Sequence, residues 1–135
     1  MDKKYLKKII AQTPLDLQMI SACCSGAKVK VSGIKYLSKN KIFLLSLIRE
    51  INENENNSEK IDSIIKFDYI DSSKSKNIDQ NDQNISLKLI AIDLIKKDNN
   101  YQINLLFSDN AFITLISEVI EVTLEDQKKL KYETN

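Results

Sequence analysis

Arg49 is the only arginine among the 20 basic residues of this 135-residue chain. Its planar five-donor fork grips a carboxylate or phosphate through two hydrogen bonds at once, which a lysine ammonium does not do. It shares strand parity with Phe43, Leu45 and Leu47, so it falls at the end of an apolar run. Two roles fit that place: an anion or partner contact at the strand end, or a buried-edge cation paired with an internal acid such as Asp68 or Glu121. Lys28, Lys30, Lys35, Lys39 and Lys41 form the one local basic run, with no acid between Ala27 and Ile48. Nucleic-acid phosphates would find cations here, with Tyr36 as a ring for a base to stack on. The same pattern is also ordinary edge protection, because exposed lysines discourage strand-to-strand association.

The remaining inventory excludes more than it offers. There is no His, which removes His-based acid–base catalysis, Ser-His and Cys-His nucleophiles and His-ligated metals. Glycine occurs only at Gly26 and Gly33, so no glycine-rich phosphate cradle can form. Cys23 and Cys24 are adjacent and cannot staple distant segments; they read as small helix residues. Glu118, Glu121, Glu125 and Asp126 are the carboxylates that glycosidase or magnesium chemistry would use, and otherwise read as a solvated acidic edge. No cofactor or metal is implied, and the chain reads as non-enzymatic.

The elements that must position these residues follow from pattern. At 42% hydrophobic and 29% charged, with net charge +1, the chain fits one domain over residues 1–135, with no global field toward nucleic acid or membrane. No run nears the roughly 20 apolar residues of a membrane-spanning helix, and no signal-peptide core follows Met1-Asp2-Lys3-Lys4, so the expected location is cytoplasmic. Tyr5 to Ala11 suggests a short edge strand. Thr13-Pro14-Leu15-Asp16 supplies a capping hydroxyl, a proline at the first helical position and an acid three residues after the cap, predicting a helix over Pro14 to Ser25 that Gly26 ends. Leu17, Ile20 and Cys24 share its inner face.

From Lys28 the apolar period is two, with a bend expected at Gly33 and a hairpin turn at Ser38-Lys39-Asn40. Ile42 to Ile51 and Ile61 to Ile70 read as strands, with Ser63 an exception on the apolar parity of the second. Asn84 to Asp126 holds three apolar runs with breaks too short for helical crossovers, hence an antiparallel meander. The parity slips near Ser117 to Val119, which requires a bulge, corner or break. Residues 52–60 and 71–84 are polar and predict flexible loops, the second holding Ile78 as its single apolar residue; residues 127–135 predict a frayed tail.

The pattern Asp16-Leu17, Ile20-Ser21-Ala22, Ala27, Val31, Tyr36-Leu37, Phe43 and Arg49, then Leu87, Leu89 to Ile92, Ile113, Leu115, Ile120-Glu121 and Leu124 to Asp126, resembles a family of uncharacterised alphaproteobacterial proteins catalogued as domain of unknown function 2948. The resemblance spans about Leu6 to Asp126. It implies a short cytoplasmic protein and no activity, and the family also has arginine at the place of Arg49. Its members typically carry glycines and a Trp where this chain has Asp109-Asn110 and no Trp.

The expected architecture is α+β: a curved, roll- or barrel-like antiparallel sheet of six or seven strands with one N-terminal helix packed on it. The leading functional expectation is a non-enzymatic adaptor that engages another protein through a strand edge or the sheet face. The alternative is a binder of small anionic ligands or nucleic acid that uses Arg49 and the Lys28–Lys41 hairpin.

Overall fold

The computed structural model describes residues 6–54 and 57–130. One helix packs on an antiparallel sheet, so the α+β class stands, but the sheet has ten strands and is not closed. Its strands are β1 (Lys8–Ala11), β2 (Lys28–Lys30), β3 (Ile34–Leu37), β4 (Ile42–Asn54), β5 (Asn57–Phe67), β6 (Ile70–Lys76), β7 (Ser86–Lys97), β8 (Asn100–Phe107), β9 (Phe112–Ser117) and β10 (Val122–Lys129). Neighbours run β1-β10-β5-β4-β2-β7-β8-β9-β6, with β3 paired to β4 beside β2. The barrel-like closure expected from sequence does not occur, because β1 and β6 are end strands.

The helix α1 (Pro14–Cys24) starts as its cap dictates: Thr13 is extended, and its hydroxyl accepts the Asp16 N–H at 3.1 Å. Leu17, Ile20 and Cys24 are buried, as their spacing predicts. Gly26 then takes a left-handed φ of +88° and turns the chain back toward the sheet, where its N–H reaches the Leu89 carbonyl at 2.7 Å.

Helix α1 also solves an edge problem. β2 pairs only with Ser86–Lys88 of β7. Beyond that point the edge of β7 is met by the helical segment, through Leu89 N–H to the Ala27 carbonyl (2.8 Å) and Ile92 N–H to the Ser21 hydroxyl (2.9 Å). Buried backbone groups that a neighbouring strand would have paired are satisfied there.

Three long polar stretches depart from expectation. Pairing of β4 with β5 continues outward through Ile51–Glu59, Asn52–Ser58 and Asn54–Asn57, so most of 52–60 is hairpin arm; a backbone ladder does not require apolar side chains. The first half of 71–84 is β6, paired with β9. In the tail, β10 extends to Lys129, while residues 131–135 lie outside the described residues. The expected strand at 61–70 ends at Phe67, and Tyr69, at φ +61°, is exposed where the chain swings from β5 into β6. Val31–Gly33 forms a single 3-10 turn at the expected bend between β2 and β3.

The meander β7-β8-β9 is as read, and its last turn is built from two left-handed residues. Asp109 and Asn110 both hold positive φ, 62° and 60°, which residues with short polar side chains tolerate and glycine adopts freely. At the parity slip β9 ends, and after a break β10 crosses to the far side of the sheet, between β1 and β5.

Replacing Gly26 by Ala is expected to lower unfolding stability by about 1 kcal/mol in urea titration, and by Asn less, since an added Cβ meets no atom within 4 Å and only the backbone conformation resists it.

Candidate functional site

The residues singled out by sequence do not converge. Arg49 is buried, and its partner is Asp126, neither Asp68 nor Glu121. Arg49 Nε donates to Asp126 Oδ1 at 3.0 Å and Nη2 to Oδ2 at 2.7 Å. Ser63 Oγ lies 3.2 Å from Nε and donates to Oδ1 at 2.6 Å, and the Lys7 N–H donates to Oδ2 at 2.8 Å. Asp126 and Ser63 are direct cross-strand partners on β10 and β5. The cluster thus ties β4, β5, β10 and the segment entering β1 together. Burial alone would raise the Asp126 pKa, but the Arg49, Ser63 and Lys7 hydrogen bonds together outweigh it and hold the carboxyl below its usual range. Burial likewise works against the Arg49 charge, and Asp126 overcomes it to hold the guanidinium above its ordinary value. Nearby, burial pushes the Cys24 thiol up to about 12, so it packs as a neutral group.

The signal for this cluster was present in the sequence. Ser63 breaks the Ile61, Ile65, Phe67 parity, and Asp126 continues the Val122, Leu124 parity; both are polar residues on inward-facing positions. Glu125, next to Asp126, faces outward, so the four carboxylates read as one group are divided between the two faces of β10 and the turn before it.

The five lysines do not gather into one group, although Lys28 and Lys30 line a shared cavity of about 190 Å³ together with Asp62. Lys28 and Lys30 flank buried Val29 on β2, and Lys35 points outward from β3. Lys41 binds Asp71 at 3.0 Å, and that carboxylate holds its ammonium above the usual range. Tyr36 lies on the other parity from Lys35, half-buried and packed against the core, so it cannot stack a base on the lysine face.

What Tyr36 does border is a cavity of about 410 Å³ where the sheet fails to close. β3 and β6 are not paired with each other. Near one end the Tyr36 hydroxyl of β3 donates to the Ile70 carbonyl of β6 (2.7 Å), and the Ile70 N–H donates to the carbonyl of Lys41 in the turn between β3 and β4 (2.8 Å). In this seam Val31, Phe43 and Ile113 form an apolar floor, all buried, with Ile34 beside them. Ser73 and Ser75 of β6 pair with Leu115 and Ile113 and line the inward wall with hydroxyls where a closed barrel would place apolar side chains.

Residues 77–85 cross the opening as a strap. Ile78 packs against the core, the Gln80 amide donates to Ser75 Oγ at 2.9 Å, and Gln83 completes the rim. The Asn77 amide anchors the strap to the Asn110 carbonyl at 2.8 Å. Its own turns are set by the Asp79 and Asp82 carboxylates, which accept the N–H groups of Asn81 and Asn84. Residues 71–84, most of β6 and of the strap, read from sequence as a loop, because a strand that faces a cavity carries no apolar alternation.

The family model for "Protein of unknown function (DUF2948)" matches residues 7–135, and the chain belongs to that family. No curated protein and no solved structure matches it significantly. Among the described residues no helix is long and apolar enough to cross a membrane.

Arg49→Met alone is expected to cost about 3 kcal/mol or more in urea unfolding, whereas adding Asp126→Leu recovers most of the loss, because the expensive state is one buried charge without its partner. The depressed Asp126 pKa adds stability that is present above the ordinary carboxylate value and is lost as pH falls through the folded one. Wild-type stability therefore drops below about pH 4, and Asp126→Asn, weaker at neutral pH, loses part of that acid slope.

Proposed function

We propose that this protein is a non-enzymatic binding module that holds a small ligand in the seam between β3 and β6. The observation that carries this reading is the cavity itself: about 410 Å³, concave, apolar at its floor and polar at its rim. That size and lining are typical of small-molecule sites. Among its described lining residues there is no carboxylate, thiol or ammonium to move a proton, and the Tyr36 hydroxyl is engaged by the Ile70 carbonyl. Binding accounts for such a lining better than catalysis does. Arg49 and the five lysines lie outside it; Lys28 and Lys30 line a separate, smaller cavity of about 190 Å³ that also holds Asp62.

A second reading, docking of another protein, is favoured by the outer face of β7-β8-β9. Cross-strand register places Ala91, Leu106 and Phe112 in one row and Ile95, Gln102 and Ile116 in another, with Asn104 and Thr114 hydrogen-bonded between them. Leu106 and Ile95 are well exposed, and Lys74 and Lys76 of β6 border the strip. An apolar, acid-rimmed partner surface would fit it.

Thermal unfolding separates the two. A bacterial extract is split by dialysis, and each fraction is added to the wild type and to Ser75→Tyr, which places a ring in the cavity. The dialysable fraction is expected to raise the melting temperature of the wild type and leave Ser75→Tyr unmoved. Stabilisation by the retained fraction alone, equal in both proteins and lost in Leu106→Glu, would replace the ligand reading with the docking one.

A further inference from the structure

Resting on the reading of the seam as a ligand site, the chemistry of its walls points to the class of ligand: we infer that it takes an uncharged molecule with a compact apolar body and one edge carrying both a hydrogen-bond donor and an acceptor, of the carboxamide or hydroxy-amide kind. The floor of Val31, Phe43 and Ile113 offers only van der Waals contact. Every described polar group on the rim is neutral: the hydroxyls of Ser73 and Ser75 and the primary amides of Gln80 and Gln83. Hydroxyls and amides each both donate and accept, so such a rim reads a ligand edge that does the same.

No Lys, Arg, Asp or Glu is among the described lining residues. A carboxylate or ammonium taken into the seam would lose water without meeting a counter-charge, whereas a carboxamide exchanges its hydrogen bonds one for one. A wholly apolar molecule would make no use of the hydrogen-bonding groups on the rim. Four neutral hydrogen-bonding side chains on the rim select against both extremes.

The strap gives the site its reader. Gln80 closes over Ser75 through a 2.9 Å amide-to-hydroxyl bond, and the Gln83 amide in turn donates to the Gln80 backbone carbonyl. A ligand carboxamide carries the same N–H donor that Gln80 gives to Ser75, with a carbonyl acceptor beside it. It replaces that bond to Ser75 one for one, and its apolar body lies against the partly exposed Ile34 and Ile78 above the buried floor. Ile78, packed on the core near the start of the strap, keeps the strap in place while Gln80 turns away.

The test uses the full-length protein and four probes of one shape: benzamide, benzoate, benzylamine and toluene. Each is titrated while amide and methyl chemical shifts are followed by NMR. Benzamide is expected to shift Val31, Phe43, Ser73, Ser75 and Ile113, and to bind at least about tenfold more tightly than either charged probe, the penalty being an unpaired charge in the seam. Toluene should bind more weakly than benzamide, and all seam shifts should vanish in Ser75→Tyr. If benzoate, benzylamine or toluene matches or exceeds benzamide at these residues, the ligand class is wrong while the site stands. If none of the four shifts the seam, or the benzamide shifts persist in Ser75→Tyr, the seam is not the ligand site and both readings fall.

Discussion

A ten-stranded sheet that curls around one core without closing must satisfy the backbone groups along the edges it turns inward. That constraint organises this molecule. The sheet is interrupted at two places, and the chain treats them differently. Where β2 leaves β7, the α1 segment moves in: Ser21, Gly26 and Ala27 hydrogen-bond the exposed edge while Leu17, Ile20 and Cys24 supply the apolar filling. Where β3 faces β6, no element fills the space. Tyr36 and Ile70 bridge it near one end, and the strap carrying Ile78 and Gln80 passes over the rest. One interruption is packed and the other is kept open, which is why the second reads as a site.

Stability is anchored away from that opening. The Arg49, Asp126 and Ser63 cluster sits where β4, β5 and β10 run side by side, with the Lys7 N–H added from the start of the chain. It joins segments 77 residues apart in sequence. Nε and Nη2 of Arg49 are engaged by Ser63 and Asp126 inside the protein, so Arg49 acts as a fastening between strands. A core fastened there can leave the β6 wall lined with serines, because Ser73 and Ser75 need not contribute apolar burial for the sheet to hold.

What was legible in the sequence was local chemistry. Thr13, Pro14 and Asp16 specified the helix start, Ser38 to Asn40 the hairpin turn, and the three apolar runs after Asn84 the meander, because each depends on residues a few positions apart. The count of strands was not legible. β6 alternates serine with lysine, since one face meets a cavity and the other meets water, and neither imposes apolar residues. The outer part of the β4–β5 hairpin is held by backbone pairing that leaves no trace in hydropathy. Arg49 was recognisable as a special residue, but its acid was not: Asp126 lies on a strand that crosses the sheet to reach it, and order in sequence does not show that crossing. The cavity was hidden in part for the same reason as β6: Ser73, Ser75, Ile78, Gln80 and Gln83 looked like loop, while Val31, Phe43 and Ile113 looked like ordinary strand core.

Hydrogen exchange read by mass spectrometry, on the protein alone and with a dialysable cell extract, tests the open seam most directly. A ligand held between β3 and β6 slows exchange in residues 31–36 and 72–83 and leaves β4, β5 and β10 around Arg49 unchanged. Unaltered exchange in those two segments, or protection confined to the outer strip of β8 and β9, would contradict it.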